Sequence, residues 1–113
     1  MQLEILENAE NASRLALSGR LDSAGVDSVE IRFTAATVAC HRHALVDFSD
    51  VSFIASMGIR MLVTVAKALD RNGYKLIVIA PQELVAEVVR AAAIERIVSV
   101  ASDEAEAMAM LEG

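Results

Sequence analysis

Two short segments near the start of the chain, Leu3 to Leu6 and Arg14 to Leu17, partly alternate hydrophobic and polar residues. A period of two is typical of strands with one covered face. The polar stretch from Glu7 to Ser13 separates the two segments as a hairpin turn would. The pattern therefore predicts two antiparallel strands.

The spacing of apolar residues becomes helical after Gly19. Asp22 and Ser23 supply the side chains that cap helix N-termini, and apolar or small residues then recur three or four positions apart. These positions are Val26, Val29, Phe33 and Thr37. A first helix is expected here, ending near Cys40.

Two strand-then-helix units follow. The runs Ala44 to Phe48 and Lys75 to Ala80 are mostly apolar, which favours strands buried on both faces. The helix of the first unit is expected to begin at Ser56 or one residue later and to end at Asn72-Gly73. Pro81 is well placed to open the helix of the second unit. The helical stripes are Ile59, Leu62, Val63 and Ala66, and then Leu84, Val85, Val88 and Val89.

The last elements are a weak edge strand at Ile97 to Val100 and a helix after Asp103, whose first turn carries Glu104 and Glu106. The predicted order is ββαβαβαβα, an α/β fold with a mixed sheet of about five strands flanked by about four helices. No linker or internal repeat interrupts the chain, so residues 1–113 are expected to form one domain.

Composition narrows the function classes. A net charge of -6 with scattered basic residues argues against nucleic-acid binding. The best candidate for a membrane span is interrupted by Arg60, Lys67 and Asp70, which argues against membrane insertion. The start of the chain lacks the basic and apolar segments of a secretory signal, and the single cysteine, Cys40, cannot form an internal disulfide. A soluble, cytoplasmic domain is expected.

The candidates for catalysis are few. His41 and His43 have a spacing seen at some metal sites, but no Cys, Asp or Glu pattern completes a coordination shell. Asp47 and Asp50 are expected to flank a turn after a buried strand, and Cys40 to be a small core residue. The common nucleotide-binding and hydrolase motifs are absent from the sequence. We expect neither an enzyme nor a cofactor or metal, with a hydrolase or thiol enzyme using Cys40 and His43 as a distant alternative.

The segment from Val46 to Leu62 carries the most specific signal. It resembles the signature of the STAS domain of bacterial anti-sigma-factor antagonists, in which a buried strand leads through a short loop to Asp-Ser-x-Gly at a helix start. Ser56 occupies the position of the serine that a partner kinase phosphorylates in that family. Gly19 to Asp22 and Ala93 to Ile97 also resemble segments of the family, so the resemblance covers nearly the full chain.

Three positions depart from the family pattern. Ala55 stands where the family often has Asp, Arg20 where it often has Glu, and Ala93 where it often has Gly. The loss of the carboxylate beside Ser56 could alter kinase recognition or the rate of phosphorylation. Ser56 also has an ordinary structural interpretation as the N-cap of its helix, and the two roles are compatible.

The resemblance implies a partner-switching regulator that binds an anti-sigma-factor serine kinase and is reset by a serine phosphatase. The expected partner-binding residues are Asp22, Ala55, Ser56, Met57, Gly58, Arg60 and Met61. Met57 and Met61 would supply apolar contact, Gly58 would relieve crowding or allow close approach of a partner, and Arg60 could partly neutralise a phosphate. The alternative is a STAS accessory subunit of a membrane-transport or lipid-trafficking complex that binds its partner without phosphorylation.

Overall fold

The computed structural model describes residues 1–92 and 94–112. The predicted element order ββαβαβαβα is confirmed, and a 3₁₀ turn, Val38–Cys40, follows the first helix. The strands are β1 (Gln2–Ile5), β2 (Ala12–Leu21), β3 (His43–Ile54), β4 (Leu76–Ile79) and β5 (Val98–Ala101). The helices are α1 (Ser23–Thr37), α2 (Ser56–Arg71), α3 (Glu83–Ala91) and α4 (Glu104–Glu112).

All five strands form one mixed sheet in the order β1-β2-β3-β4-β5. The edge strand β1 runs antiparallel to β2, as predicted, and the other neighbours are parallel. In the middle of the sheet, Val46 of β3 pairs with Leu15 of β2 on one side and with Val78 of β4 on the other. The parallel part therefore presents the carboxyl ends of four strands at one edge of the sheet.

The hydrophobic core is divided between the two faces of the sheet. Successive side chains of a strand point to opposite faces, so Leu45 and Val46 enter different clusters. The larger cluster joins the sheet to α1, α2 and α3, with Phe33 and Phe48 among its largest buried side chains. The smaller one lies beneath α4 and includes Ala107. The core is mostly aliphatic, as expected from a sequence with few aromatic residues.

The two central strands are longer than the sequence pattern predicted. The expected strand at 44–48 extends to Ile54, so Asp47 and Asp50 lie within β3 and not beside a turn. The reason is that main-chain pairing with β2 continues, after shifts in register, as far as the pair Leu21 and Ile54. Both strands thus extend together beyond the end of β4, and this extension positions the candidate site.

The predicted helix boundaries hold with small differences. At the end of α2, Gly73 adopts a left-handed φ of 82°, and the N–H of Tyr74 donates to the carbonyl of Leu69 at 2.9 Å. Pro81 does not open α3 directly, because the helix begins at Glu83 with Gln82 as its cap residue. Ala93, one of the positions that depart from the family pattern, lies outside the described residues.

Candidate partner-binding site

Two strand-to-helix junctions lie side by side at the carboxyl edge of the sheet. Leu21 and Ile54 are paired residues, and each is followed directly by the N-cap residue of a helix. Those cap residues are Asp22 for α1 and Ala55 for α2. The N–H of Ala55 donates to the carbonyl of Leu21 at 3.1 Å, which joins the two junctions. The fold therefore places Asp22 beside the loop that carries Ser56.

Ser56 is exposed and is the first residue of α2. The interpretation of Ser56 as an N-cap is wrong, because the cap position belongs to Ala55, whose methyl group cannot accept a hydrogen bond. The first N–H groups of a helix have no partners within the helix. The first turn of α2 consequently presents N–H groups without a side-chain cap, next to an exposed hydroxyl.

The carboxylate of Asp22 is already engaged. Its Oδ1 accepts from the backbone N–H of Gly25 at 2.9 Å, and its Oδ2 accepts from Arg20 Nε at 3.4 Å. The hydrogen bond from Gly25 chiefly holds the pKa of Asp22 below its usual value, with help from Arg20 and against a smaller opposing effect of burial. The Arg20 guanidinium also lies 4.2 Å from the centre of the Phe53 ring. Arg20 thus bridges the two strand ends.

Two of the expected partner contacts are corrected by the structure. Met61 is 1% exposed and belongs to the core, because it lies on the sheet-facing side of α2. Gly58 is also buried, and an added Cβ would lie 2.7 Å from the carbonyl oxygen of Leu21 and 2.9 Å from Ile54 Cγ1. The missing side chain therefore relieves crowding within the fold and does not open a path for a partner. Met57 and Arg60 are exposed and remain candidates for contact.

An apolar surface that the sequence pattern did not predict lies at the end of β3, just before Ser56 in the chain. Phe53 is 38% exposed, and on α3 Leu84 is 73% and Val88 38% exposed. A groove of about 240 Å³ separates the end of β3 from α3, and all three residues line it. We call it the β3–α3 groove. The sign of this groove in the sequence was the wide apolar stripe of α3. The stripe has four predicted members, and in the structure only Val85 and Val89 of them are fully buried.

The histidine and cysteine candidates lie at the other end of β3. His43 Nδ1 accepts from the backbone N–H of Lys75 at 2.9 Å, and its ring packs edge-on against Tyr74. Burial, and secondarily the charge of Lys75, lower the pKa of His43. Cys40 is exposed and not in the core, because it falls in the 3₁₀ turn beyond α1.

No hydrogen bond joins Cys40 to His43 in the described part of the chain. Within residues 1–92 and 94–112, no three His, Cys, Asp or Glu side chains are grouped so that they could hold a metal ion. The same residues contain no helix that is long and apolar enough to cross a membrane.

These features define a small α/β domain whose longest central strand leads into an exposed serine at the start of a helix. A family profile described as the STAS domain matches residues 4–107. The chain belongs to the STAS domain family. No curated protein matches the sequence significantly.

Solved structures with the same fold include regulators and part of a transporter. A putative anti-sigma factor antagonist from Thermotoga maritima superposes with a TM-score of 0.87 at 18% identity, covering 98% of this chain and 95% of that one. The phosphorylated form of the Bacillus cell fate determinant SpoIIAA gives 0.67 at 15% identity, covering 97% and 99%. The murine anion transporter Slc26a9 gives 0.68 at 17% identity, covering 80% of this chain and 15% of the transporter. At these identities the likeness concerns the fold.

Proposed function

We propose that this domain is an anti-sigma-factor antagonist, or a closely related partner-switching regulator, that binds an anti-sigma serine kinase and is controlled by reversible phosphorylation of Ser56. The observation that carries the proposal is the exposed Ser56 at the uncapped start of α2, two residues after the strand end that lines the β3–α3 groove. A serine phosphatase resets the switch. The domain contributes no catalysis of its own and works in the cytoplasm.

The start of α2 can accept a phosphate without loss of the fold. Phosphoserine carries nearly two negative charges, and helix N-termini stabilise an anion by about 0.3 to 1 kcal/mol. At Ala55 there is no carboxylate to compete for the first-turn N–H groups. Arg60, one turn further along α2, is exposed and adds a positive charge on the same helix. The modified domain is therefore expected to stay folded.

Phosphate changes the docking surface instead. The unmodified surface offers the neutral hydroxyl of Ser56, the exposed Met57 next to it in the chain, and the apolar side chains of Phe53, Leu84 and Val88 in the β3–α3 groove. A partner that covers this surface would have to bury an unpaired dianion, which costs several kcal/mol. Even about 2.7 kcal/mol weakens binding a hundredfold. Phosphorylation thus releases the partner through desolvation and not through unfolding.

The phosphorylation site is tested with the cognate serine kinase and ATP, followed by intact-mass measurement. Wild type is expected to gain one phosphate and Ser56→Ala none. Ser23→Ala is the matched control, because Ser23 is likewise an exposed serine at the first position of a helix. A phosphate that persists in Ser56→Ala would contradict the proposal, and its loss in Ser23→Ala would move the site to the other junction.

The docking surface is tested separately by calorimetry with the same kinase. Leu84→Asp and Ser56→Asp are each expected to weaken binding by a factor of about 100. Thr64→Asp should change the affinity by less than threefold or so, because it adds the same charge at an exposed position of α2 about two turns away from Ser56. Unchanged binding by Leu84→Asp would exclude the β3–α3 groove from the interface.

The alternative function is a STAS accessory subunit of a membrane-transport or lipid-trafficking complex that binds without phosphorylation. It is supported by the likeness to part of Slc26a9 and by Ala55, which removes the carboxylate expected beside a phosphorylated serine. Affinity purification of the tagged domain distinguishes the two functions. Recovery of a transport protein whose binding survives Ser56→Asp favours the accessory subunit, and recovery of a serine kinase favours the regulator.

A further inference from the structure

The β3–α3 groove has opposite charges on its two walls. On the strand wall, the guanidinium of Arg20 lies 4.2 Å from the centre of the Phe53 ring. On the helix wall, Glu87 lines the groove together with Leu84 and Val88. An apolar lining is therefore combined with a cation on one side and an anion on the other.

Arg20 is held in place while most of its hydrogen-bond donors stay free. A guanidinium has five N–H groups, and in the described residues only Nε has an acceptor, Asp22 Oδ2 at a long 3.4 Å. The side chain is 62% exposed. The Phe53 ring beneath it favours a stacked orientation of the guanidinium plane. Arg20 consequently presents its two terminal NH₂ groups as oriented donors for a further acceptor.

Arg14, on the same strand, shows the contrasting arrangement. Its Nε pairs with Glu104, and its Nη1 donates to the carbonyl of Glu7 at 3.0 Å. Both contacts lie within the fold, so the guanidinium of Arg14 fastens the start of α4 to the sheet. The free donors of Arg20 are thus a local feature of the strand end and not a general property of the arginines on β2.

Glu87 also has no charged partner in the part of the chain that the structure describes. The ion pairs there are Arg14–Glu104 and Arg20–Asp22, and Arg90, three residues further along α3, does not pair with Glu87. Glu87 is exposed and lies three residues after Leu84, which is 73% exposed. The helix wall therefore offers a free carboxylate beside an uncovered apolar side chain.

These local charges specify the chemistry of a partner more closely than the net charge does. At physiological ionic strength, exposed charges are screened beyond about 8 Å. The net charge of -6 would favour a purely basic partner, but such a partner would meet Arg20 in the groove. A carboxylate fits the paired NH₂ groups of an arginine, and an ammonium or guanidinium fits Glu87. The groove is complementary to a segment that carries both charges around an apolar residue.

We propose that the β3–α3 groove binds a linear segment of the partner protein in which an apolar side chain is flanked by a carboxylate that pairs with Arg20 and a basic side chain that pairs with Glu87. Because the two charges lie on opposite walls, the two pairs fix the direction in which the segment crosses the groove. The inference rests on the proposed function only in that a protein partner binds at the carboxyl edge, and it does not require phosphorylation of Ser56.

Selection of random phage-displayed peptides on the purified chain tests this pairing. Wild type is expected to enrich peptides with an acidic and a basic residue on either side of an apolar one. Arg20→Glu should instead enrich peptides in which a basic residue replaces the acidic one. Arg71→Glu is the matched control, because it changes the net charge equally at the far end of α2, and it should enrich the same peptides as wild type. No enrichment by wild type, or the same peptides from Arg20→Glu, would overturn the proposal.

Calorimetry with a peptide enriched by wild type measures the two pairs separately. Arg20→Gln should weaken binding at least about tenfold and Glu87→Gln about threefold or more, whereas Arg71→Gln should change it by less than about threefold. Circular dichroism checks that each variant is folded, as expected for exposed positions.

Charge reversal distinguishes direct pairing from a structural role of Arg20. The peptide whose acidic residue is replaced by lysine should bind Arg20→Glu more tightly than wild type, since the pair is restored with its signs exchanged. Equal binding of the original peptide by wild type and Arg20→Gln, or no preference of Arg20→Glu for the lysine peptide, would overturn the proposal. A serine kinase that fails to bind wild type would contradict the proposed function, whereas the peptide measurements test the pairing without the kinase.

Discussion

The two junctions at the carboxyl edge have similar sequences and different chemistry. Leu21-Asp22-Ser23-Ala24-Gly25 joins β2 to α1, and Ile54-Ala55-Ser56-Met57-Gly58 joins β3 to α2. Both have a serine at the first helical position and a buried glycine at the third. They differ at the cap, where Asp22 accepts from the N–H of Gly25 and Ala55 offers no acceptor. Close packing therefore requires glycine at both junctions, whereas only the α1 junction has a side-chain cap.

The largest expected effect concerns the glycine of the α1 junction. A Cβ at Gly25 would overlap the carbonyl oxygen of Arg20, which is backbone and cannot turn aside. Gly25→Ala is expected to lower the free energy of unfolding by about 3 kcal/mol, measured by urea denaturation. Gly73→Ala is a useful control, because nothing lies within 4 Å of its Cβ position and only its φ of 82° opposes the change. An equal loss in the two variants would show that close contact is not the cause.

The glycine of the α2 junction should be less sensitive. The atom nearest to a Cβ at Gly58 is again a backbone carbonyl oxygen, that of Leu21, but at 2.7 Å instead of the 2.1 Å found at Gly25. The next two atoms, Leu21 Cγ at 2.8 Å and Ile54 Cγ1 at 2.9 Å, belong to side chains that can shift. Gly58→Ala should cost about 1 to 2 kcal/mol in the same urea experiment, after the gain in helix propensity. If Gly58→Ala lowered the free energy of unfolding more than Gly25→Ala, the length of the backbone contact would not be what sets the cost.

Exchanging the caps tests the difference between the junctions directly. Ala55→Asp gives the α2 junction the acceptor that the α1 junction has, and should raise the free energy of unfolding by about 1 kcal/mol. Asp22→Ala removes the cap of α1 and should lower stability. Ala55→Ser tests whether a shorter acceptor suffices. No change in Ala55→Asp would mean that the N–H groups at the start of α2 are satisfied by water without cost.

The cap at Asp22 should also make the α1 junction sensitive to pH. Its folded pKa is lowered, so its contribution to stability is fully present above the unfolded pKa of about 3.8 and is lost as the pH falls through the folded value. Asp22→Asn keeps an acceptor but does not titrate. The stability of wild type relative to Asp22→Asn should be constant above about pH 5 and decrease below about pH 4. A difference that does not change with pH would contradict the engaged carboxylate.

The smallest effect concerns the link between the two strand ends. Arg20 lies over Phe53, and both residues are exposed at the edge of the sheet. A double-mutant cycle with Arg20→Ala and Phe53→Ala is expected to give a coupling of about 0.5 kcal/mol. Arg20→Lys should retain part of it. A coupling near zero would show that the two junctions are joined by the main-chain bond from Ala55 to Leu21 without help from this pair.

The prediction of elements succeeded where periodicity was strong and failed where pairing decided the outcome. The strand at Leu76–Ile79 and the helix Ser56–Arg71 were predicted to within about a residue at most ends, because their apolar patterns are unambiguous. The extension of β3 to Ile54 was missed because its last residues are held by β2, which is distant in sequence. Cys40 was misplaced because the helix gives way to a 3₁₀ turn just before it.

The candidate site was also predicted only in part, because contacts between segments distant in sequence decide which of its side chains are exposed. Ser56 and Asp22 were predicted from the residues and the family resemblance, and the fold brings their loops together. Met61 was wrong as a contact, because its side chain fills the core. Phe53, Leu84 and Val88 were missed because a sequence pattern shows that a residue is apolar but not whether another element packs over it. That is known once the neighbouring elements are placed.

Local patterns in the chain were enough to predict an α/β fold, the order of its elements, the resemblance to the family and a serine at a helix start. These depend on spacing, capping and short motifs, which are encoded within about ten residues of one another. The side-by-side placement of the Asp22 and Ala55 junctions depends on long-range strand pairing, as does the burial of Gly58 and Met61. The exposure of the β3–α3 groove likewise depends on which surfaces the packed elements leave uncovered, and no single segment of the sequence determines that.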